Sequence, residues 1–245
     1  MAVARTRSRR VSSPSRLLAR YLRESSDFAT GFLFILPLLV GYEVGLALLR
    51  SDVVNLAGGV IRLVFHLFGP AEPVVFAALT ACLVVVALRR AERMRLDAEL
   101  FGIMFLESLA YAFLLGLVCV FVARRLIAMA MPPGATLAEK VVLSVGAGVY
   151  EEVVFRVVVL GALYYGLKAT GRVKPSVAAL VAIVVSSAVF SLCHHIGPYG
   201  DPLEVGRVVY RFAVGVFFAA IYIYRGLGIV VYAHALYDIF ASLAR

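Results

Sequence analysis

From Phe28 to Leu49 the chain carries a single charged side chain, Glu43, and comparable apolar runs recur as far as Leu243. A helix needs about 20 apolar residues to cross the hydrocarbon core of a bilayer. Within that core only helices and closed barrels satisfy every backbone polar group. The alternating patterns of barrel strands are absent, which leaves helices. At 62% hydrophobic and 16% charged residues, the chain holds more apolar side chain than a soluble interior of this size takes up. The sequence therefore predicts an all-α, polytopic transmembrane helix bundle of about seven spans. They fall at residues 28–49, 73–88, 100–123, 141–166, 175–196, 205–224 and 227–243. Residues 53–68 hold Arg62 and His66 at helical spacing and read as an interfacial amphipathic helix.

The formal net charge of +9 does not point to nucleic acid. The basic residues sit at the ends of apolar runs and in one tail, where they set topology and meet lipid headgroups. Residues 1–27 read as a basic cytoplasmic tail, with Arg5, Arg7, Arg9, Arg10, Arg16, Arg20 and Arg23 ahead of the first acid, Glu24. Ser8-Arg9-Arg10 faintly resembles a twin-arginine signal. The run that follows is long for a signal core and lacks a small-x-small cleavage site, so it reads as an uncleaved first helix. Residues 28–245 read as a single transmembrane domain. Arg89, Arg90, Arg93, Arg95, Lys168, Arg172, Lys174 and Arg225 fall on the side of the tail, cytoplasmic by the positive-inside rule. Arg124 and Arg125 depart from it. The expected location is a prokaryotic plasma membrane. Cys82, Cys119 and Cys193 lie in apolar runs and read as packing residues.

Ionisable groups near a bilayer centre cost about 2.5–3.5 kcal/mol each on insertion scales, so they mark function by default. Three clusters meet that description. In Tyr150-Glu151-Glu152-Val153-Val154-Phe155-Arg156, Glu152 and Arg156 are at i,i+4 and can pair. Glu151 is left on another face, where a low-dielectric cavity suits a carboxylate to general-base work. In Phe190-Ser191-Leu192-Cys193-His194-His195, an imidazole can hold a water or bind a metal. A rigid Gly- and Pro-containing turn follows. In His234-Ala235-Leu236-Tyr237-Asp238, His234 and Asp238 share a helix face. The structural alternatives are an ion-pair network locking helices for the first cluster, a helix-end histidine satisfied by solvent or backbone for the second, and a hydrogen-bonded pair that glues the last span to its neighbours for the third. Three such clusters in one small bundle favour chemistry.

The better-known intramembrane chemistries do not fit. No histidine is followed by the Glu of an H-E-x-x-H zinc motif. No G-x-S-x serine lies near the sixth span. Tyr237-Asp238 resembles one aspartyl-protease motif, but Gly226-Leu227-Gly228 is followed by Ile229 rather than Asp. The ordered set E-E-x-x-x-R, F-x-x-x-H and H-x-x-x-N/D, on three apolar helices, resembles the CPBP family. This is the CAAX protease and bacteriocin-processing (Abi) family, which includes the type II CAAX prenyl endopeptidases. The resemblance covers a core of about residues 141–244, through Glu151, Glu152, Arg156, Phe190, His194, His234 and Asp238.

That resemblance implies that Glu151 activates water, His194 holds that water, and His234 with Asp238 stabilises the oxyanion. Glu152, Arg156 and Phe190 support them. Many relatives carry Asn at the position of Asp238. An ionised Asp cannot donate a hydrogen bond, so Asp238 is either protonated, an acceptor that orients His234, or a metal ligand. No cofactor is favoured; zinc is the alternative, with Glu151, His194 and His234 as a His₂Glu set. The expected activity is intramembrane endopeptidase action on a membrane-associated or lipidated peptide. The rival readings are a non-proteolytic immunity or scaffold member and a proton- or cation-coupled transporter. The transporter predicts inverted repeats, which the sequence lacks. Arg207 and Arg211 are one turn apart at the start of the sixth span. Arg211, the deeper of the two, is a candidate to position a substrate carboxylate, with Glu43, Glu107 and Asp238 as alternative anionic partners.

Overall fold

The computed structural model describes residues 14–49, 56–91, 97–123, 134–197 and 200–243. Among these residues all regular structure is helical: α1 Pro14–Ser25, α2 Phe28–Leu49, α3 Leu56–His66, a short 3₁₀ turn Gly69–Ala71, α4 Glu72–Ala91, α5 Ala98–Ala123, α6 Leu137–Glu152, a π-helical segment Val153–Leu160, α7 Gly161–Ala169, α8 Pro175–Cys193, α9 Val205–Arg225 and α10 Leu227–Leu243. Short polar signals set the boundaries. Asp27 accepts the amides of Ala29 and Thr30 at the start of α2, and Asp97 accepts that of Leu100 at the start of α5. Thr136 and Glu139 form a reciprocal capping box that opens α6. Pro175 occupies the first turn of α8, where its missing amide proton costs nothing. Gly226, at φ 82°, makes the corner between α9 and α10 that a side chain would strain.

Among the described residues five helices are long and apolar enough to cross a membrane, at Phe28–Leu49, Gly69–Arg90, Ala98–Cys119, Pro175–Cys193 and Val205–Arg225. The expected fourth and seventh spans differ from these. Residues 137–169 run as consecutive helical segments interrupted by the π turn, and they hold Glu139, Lys140, Glu151, Glu152, Arg156 and Lys168. Helix α10 is apolar but shorter, at 17 residues. The expected interfacial segment forms its own helix, α3. The second half of the expected tail is α1, packed on α2 and α5. The remainder of the tail, with Arg93, Arg95, Arg124 and Arg125, lies outside the described residues.

Helix α10 is the core of the bundle, with Ile229, Val230, Val231, Ala233 and Ala235 buried. It packs on α6 and α5, and also on α2 and α9. Small residues permit the closest approaches, as is usual where helices associate in lipid. A Cβ on Gly148 of α6 would lie 2.7 Å from the Ala235 Cβ and 2.9 Å from the Val231 carbonyl oxygen. One on Gly31 of α2 would lie 2.8 Å from the Gly228 amide nitrogen. The contact of Gly148 with Val231 and Ala235 fixes the register between α6 and α10. One helical turn further along α6, Glu151 and Glu152 then meet His234.

Candidate active site

Three helices converge on one buried polar cluster. Helix α6 brings Glu151 and Glu152, α8 brings Phe190 and, as its C-cap, His194, and α10 brings His234 and Asp238. The two glutamates face different ring nitrogens of His234 and otherwise turn to different partners, in keeping with their angular offset. Glu152 is fully buried; its Oε1 lies 2.8 Å from His234 Nδ1, and its Oε2 lies 2.9 Å from Arg156 Nε. The second of these contacts is off the line of a hydrogen bond, so the attraction there is mainly electrostatic. The Arg156 guanidinium also sits over the Phe190 ring, 5.0 Å from its centroid. The sequence reading paired Glu152 with Arg156 but missed the bond from Glu152 to His234.

Glu151 is placed differently. Its Oε2 makes no hydrogen bond within the protein. It lies 3.6 Å from His194 Nε2 and 3.9 Å from His234 Nε2. Both separations are too long for direct hydrogen bonds. The two rings are oriented from behind. His194 Nδ1 is 2.8 Å from the Phe190 carbonyl oxygen, so Nδ1 donates and the ring directs Nε2 at Glu151. His234 Nδ1 faces Glu152, and its Nε2 lies 3.4 Å from Asp238 Oδ2. Phe218 of α9 stacks on the His234 ring at 4.4 Å. Phe190 stands beside the His194 ring at 4.5 Å. Close packing of Gly215 against Ser187 and Phe190 holds α9 to α8 at this level. Phe218 carries no polar signal, and the sequence reading did not single it out.

The π-helical turn begins at the residue after Glu152. Its i→i+5 bonds widen the backbone ring, and such turns are frequent at functional sites. No Gly or Pro marks it in Val153–Leu160, so composition gave no warning of it.

Among the described residues, no three His, Cys, Asp or Glu side chains are arranged to hold a metal ion. The His₂Glu set of Glu151, His194 and His234 does come together, with His234 Nε2 nearer to Asp238, at 3.4 Å, than to Glu151, at 3.9 Å.

Arg211 has a partner that the sequence reading did not name. Asp201, in the loop after α8, accepts from its Nε at 3.1 Å and its Nη2 at 2.8 Å. Glu43 is engaged elsewhere, by Tyr150 and Arg62, and Glu107 by Arg225 and Tyr21. Asp201 is also tied to both histidines through its backbone. Its amide donates to the His194 carbonyl at 2.8 Å, and its carbonyl accepts from His195 Nδ1 at 3.0 Å. The signal available in the sequence was an acid placed just ahead of two arginines at i,i+4. Both members of the pair are largely buried, so Asp201→Ala and Arg211→Gln should each lower stability by about 3 kcal/mol, the low end for a broken buried pair. Chemical unfolding in detergent checks this. The double variant should lose clearly less than the sum. Cleavage by Arg211→Gln should be as sensitive to amidation of a peptide's C-terminus as cleavage by the wild type; a loss of that sensitivity would return Arg211 to substrate binding.

No curated protein and no solved structure matches the chain. Residues 133–240, which hold all three motifs, match the family model described as Type II CAAX prenyl endopeptidase Rce1-like, the family those motifs resemble.

Proposed function

We propose that the chain is an intramembrane endopeptidase that hydrolyses a peptide bond in a membrane-associated or lipidated substrate, using water activated by Glu151. The observation that carries the proposal is the unbonded Glu151 Oε2, faced by two imidazole nitrogens at 3.6 and 3.9 Å inside an apolar bundle. A water bridging these groups gives its proton to Glu151 as its oxygen attacks the peptide carbonyl carbon. His194 holds that water. The tetrahedral oxyanion forms against His234 Nε2–H, whose ring is oriented by Glu152 behind it. The proton on Glu151 then passes to the leaving amine, and the C–N bond breaks. Asp238 Oδ2, 3.4 Å from His234 Nε2, draws the ring by charge rather than by a hydrogen bond, which leaves that N–H to the oxyanion. We place α6 through α7 and α10 in the membrane with the five long helices, giving seven spans.

The mechanism is proposed to be metal-free. If so, cleavage of a prenylated C-terminal peptide by purified protein should persist after prolonged chelation and dialysis, and elemental analysis should find far less than one zinc per chain. Stoichiometric zinc that leaves together with activity would overturn the metal-free reading. Cleavage of no membrane peptide, prenylated or unmodified, would count against the proposal as a whole.

A further inference from the structure

Helix α1 is held to the bundle by one stripe of polar residues, and this fixes which faces it turns outward. The Tyr21 hydroxyl donates to Glu107 Oε2 at 2.5 Å. Arg225, at the corner between α9 and α10, donates from Nη2 to Ser25 Oγ at 2.9 Å and from Nη1 to Ser26 Oγ at 3.1 Å. Its guanidinium lies over the Tyr21 ring, 5.2 Å from the centroid. Burial first, and then the Glu107 carboxylate, push the Tyr21 hydroxyl well above its usual pKa, so it remains a donor.

With that stripe locked, Leu17, Leu18 and Leu22 flank the contact and are left 52%, 58% and 42% exposed. Arg16 and Arg23 lie on the exposed side of the helix, and Arg20, between them at spacings of four and three, is half-buried. Arg20 pairs with Glu24, while Arg16 and Arg23 are exposed. No acidic residue precedes Glu24 in the sequence. The α1–α2 turn sits at the basic end of the bundle. Asp27 there pairs with Arg90. Ser26 and Phe28 line a cavity of about 370 Å³ together with Tyr164, Tyr222 and Gly226, at the end where α7 leads to Lys168, Arg172 and Lys174.

We infer that α1 is an interfacial helix that docks on an anionic bilayer surface, its leucines entering the boundary between headgroups and acyl chains while Arg16 and Arg23 meet lipid phosphates. A short helix with leucines on one side and arginines on the other lies in the plane of the interface. Each arginine near an anionic surface adds a screened attraction. The charge complementarity commits the partner to anionic phospholipid in the membrane that holds the bundle.

The test uses the full chain in nanodiscs of phosphatidylcholine, with or without phosphatidylglycerol, and reads amide hydrogen exchange over residues 15–25. Phosphatidylglycerol should slow exchange in α1 by about tenfold at low salt, and high salt should remove much of that protection. Exchange in α10 should be the same in both lipids. The combined variant Arg16→Gln with Arg23→Gln, which touches no site residue, should lose most of the lipid effect. Equal exchange of α1 in both lipids would overturn the inference, as would a lipid effect that the double variant retains. Equal protection by soluble glycerol phosphate would also overturn it, because the partner would then be a small anion rather than a bilayer.

Discussion

Replacing Glu151 with glutamine should reduce turnover by about 10²–10⁴, the range that a positioned general base contributes, while the protein still inserts, purifies and unfolds near the wild-type midpoint. The reason is local. Glutamine has nearly the same shape, and the Glu151 Oε2 makes no hydrogen bond within the protein that the change would break. What disappears is the capacity to take a proton. Turnover and unfolding, measured on one preparation of each protein, separate the two effects. Retained turnover in Glu151→Gln would remove Glu151 from the base role. Inactivity accompanied by a large loss of stability would mean that the carboxylate holds the helices together.

The second large effect falls on Glu152 and Arg156, and here stability should collapse. Both side chains are fully buried. Removing either leaves a lone charge in a medium that cannot solvate it, at about 3–5 kcal/mol, a large share of the net stability of a typical domain. Low yield, or an unfolding midpoint far below that of the wild type, is the expected result for Glu152→Ala and for Arg156→Met. Spacing alone suggests that the charge swap, Glu152→Arg with Arg156→Glu, restores the pair. The structure predicts that it does not, because position 152 must also accept from His234 Nδ1. An arginine there would oppose the imidazole. Glu152→Gln keeps an acceptor for His234 and should retain more activity per folded molecule than Glu152→Ala. A swap variant with near-wild-type stability would show that the His234 contact carries little weight.

Much of this site was legible because charge inside an apolar run is costly and therefore conspicuous. Glu151, Glu152, His194, His234 and Asp238 each stood out against their helices, and they meet in one cluster. What stayed hidden was of two kinds. Phe218, which stacks on His234, is one apolar residue among many, and only tertiary packing distinguishes it. Asp201 is a loop acid, and acids in loops are ordinary; its importance comes from the chain folding back so that its backbone reaches His194 and His195 while its carboxylate reaches Arg211. The helices were legible from apolar length, and α2 and α5 begin close to where hydropathy places them. The π turn was not, because Val153–Leu160 contains no Gly or Pro to mark it. Nor was the α1 anchor, since Glu107 and Arg225 are far apart in sequence and meet only through the fold.

The central claim is that this cluster cuts peptide bonds with Glu151 as base. The most direct test is to sequence the peptide termini in membrane fractions from cells producing either the wild type or Glu151→Gln at matched levels. The account predicts a small set of new termini in membrane-associated proteins, present with the wild type and missing with the variant. Purified wild type should reproduce those cuts in peptides spanning the sites. Identical termini in the two fractions would contradict it.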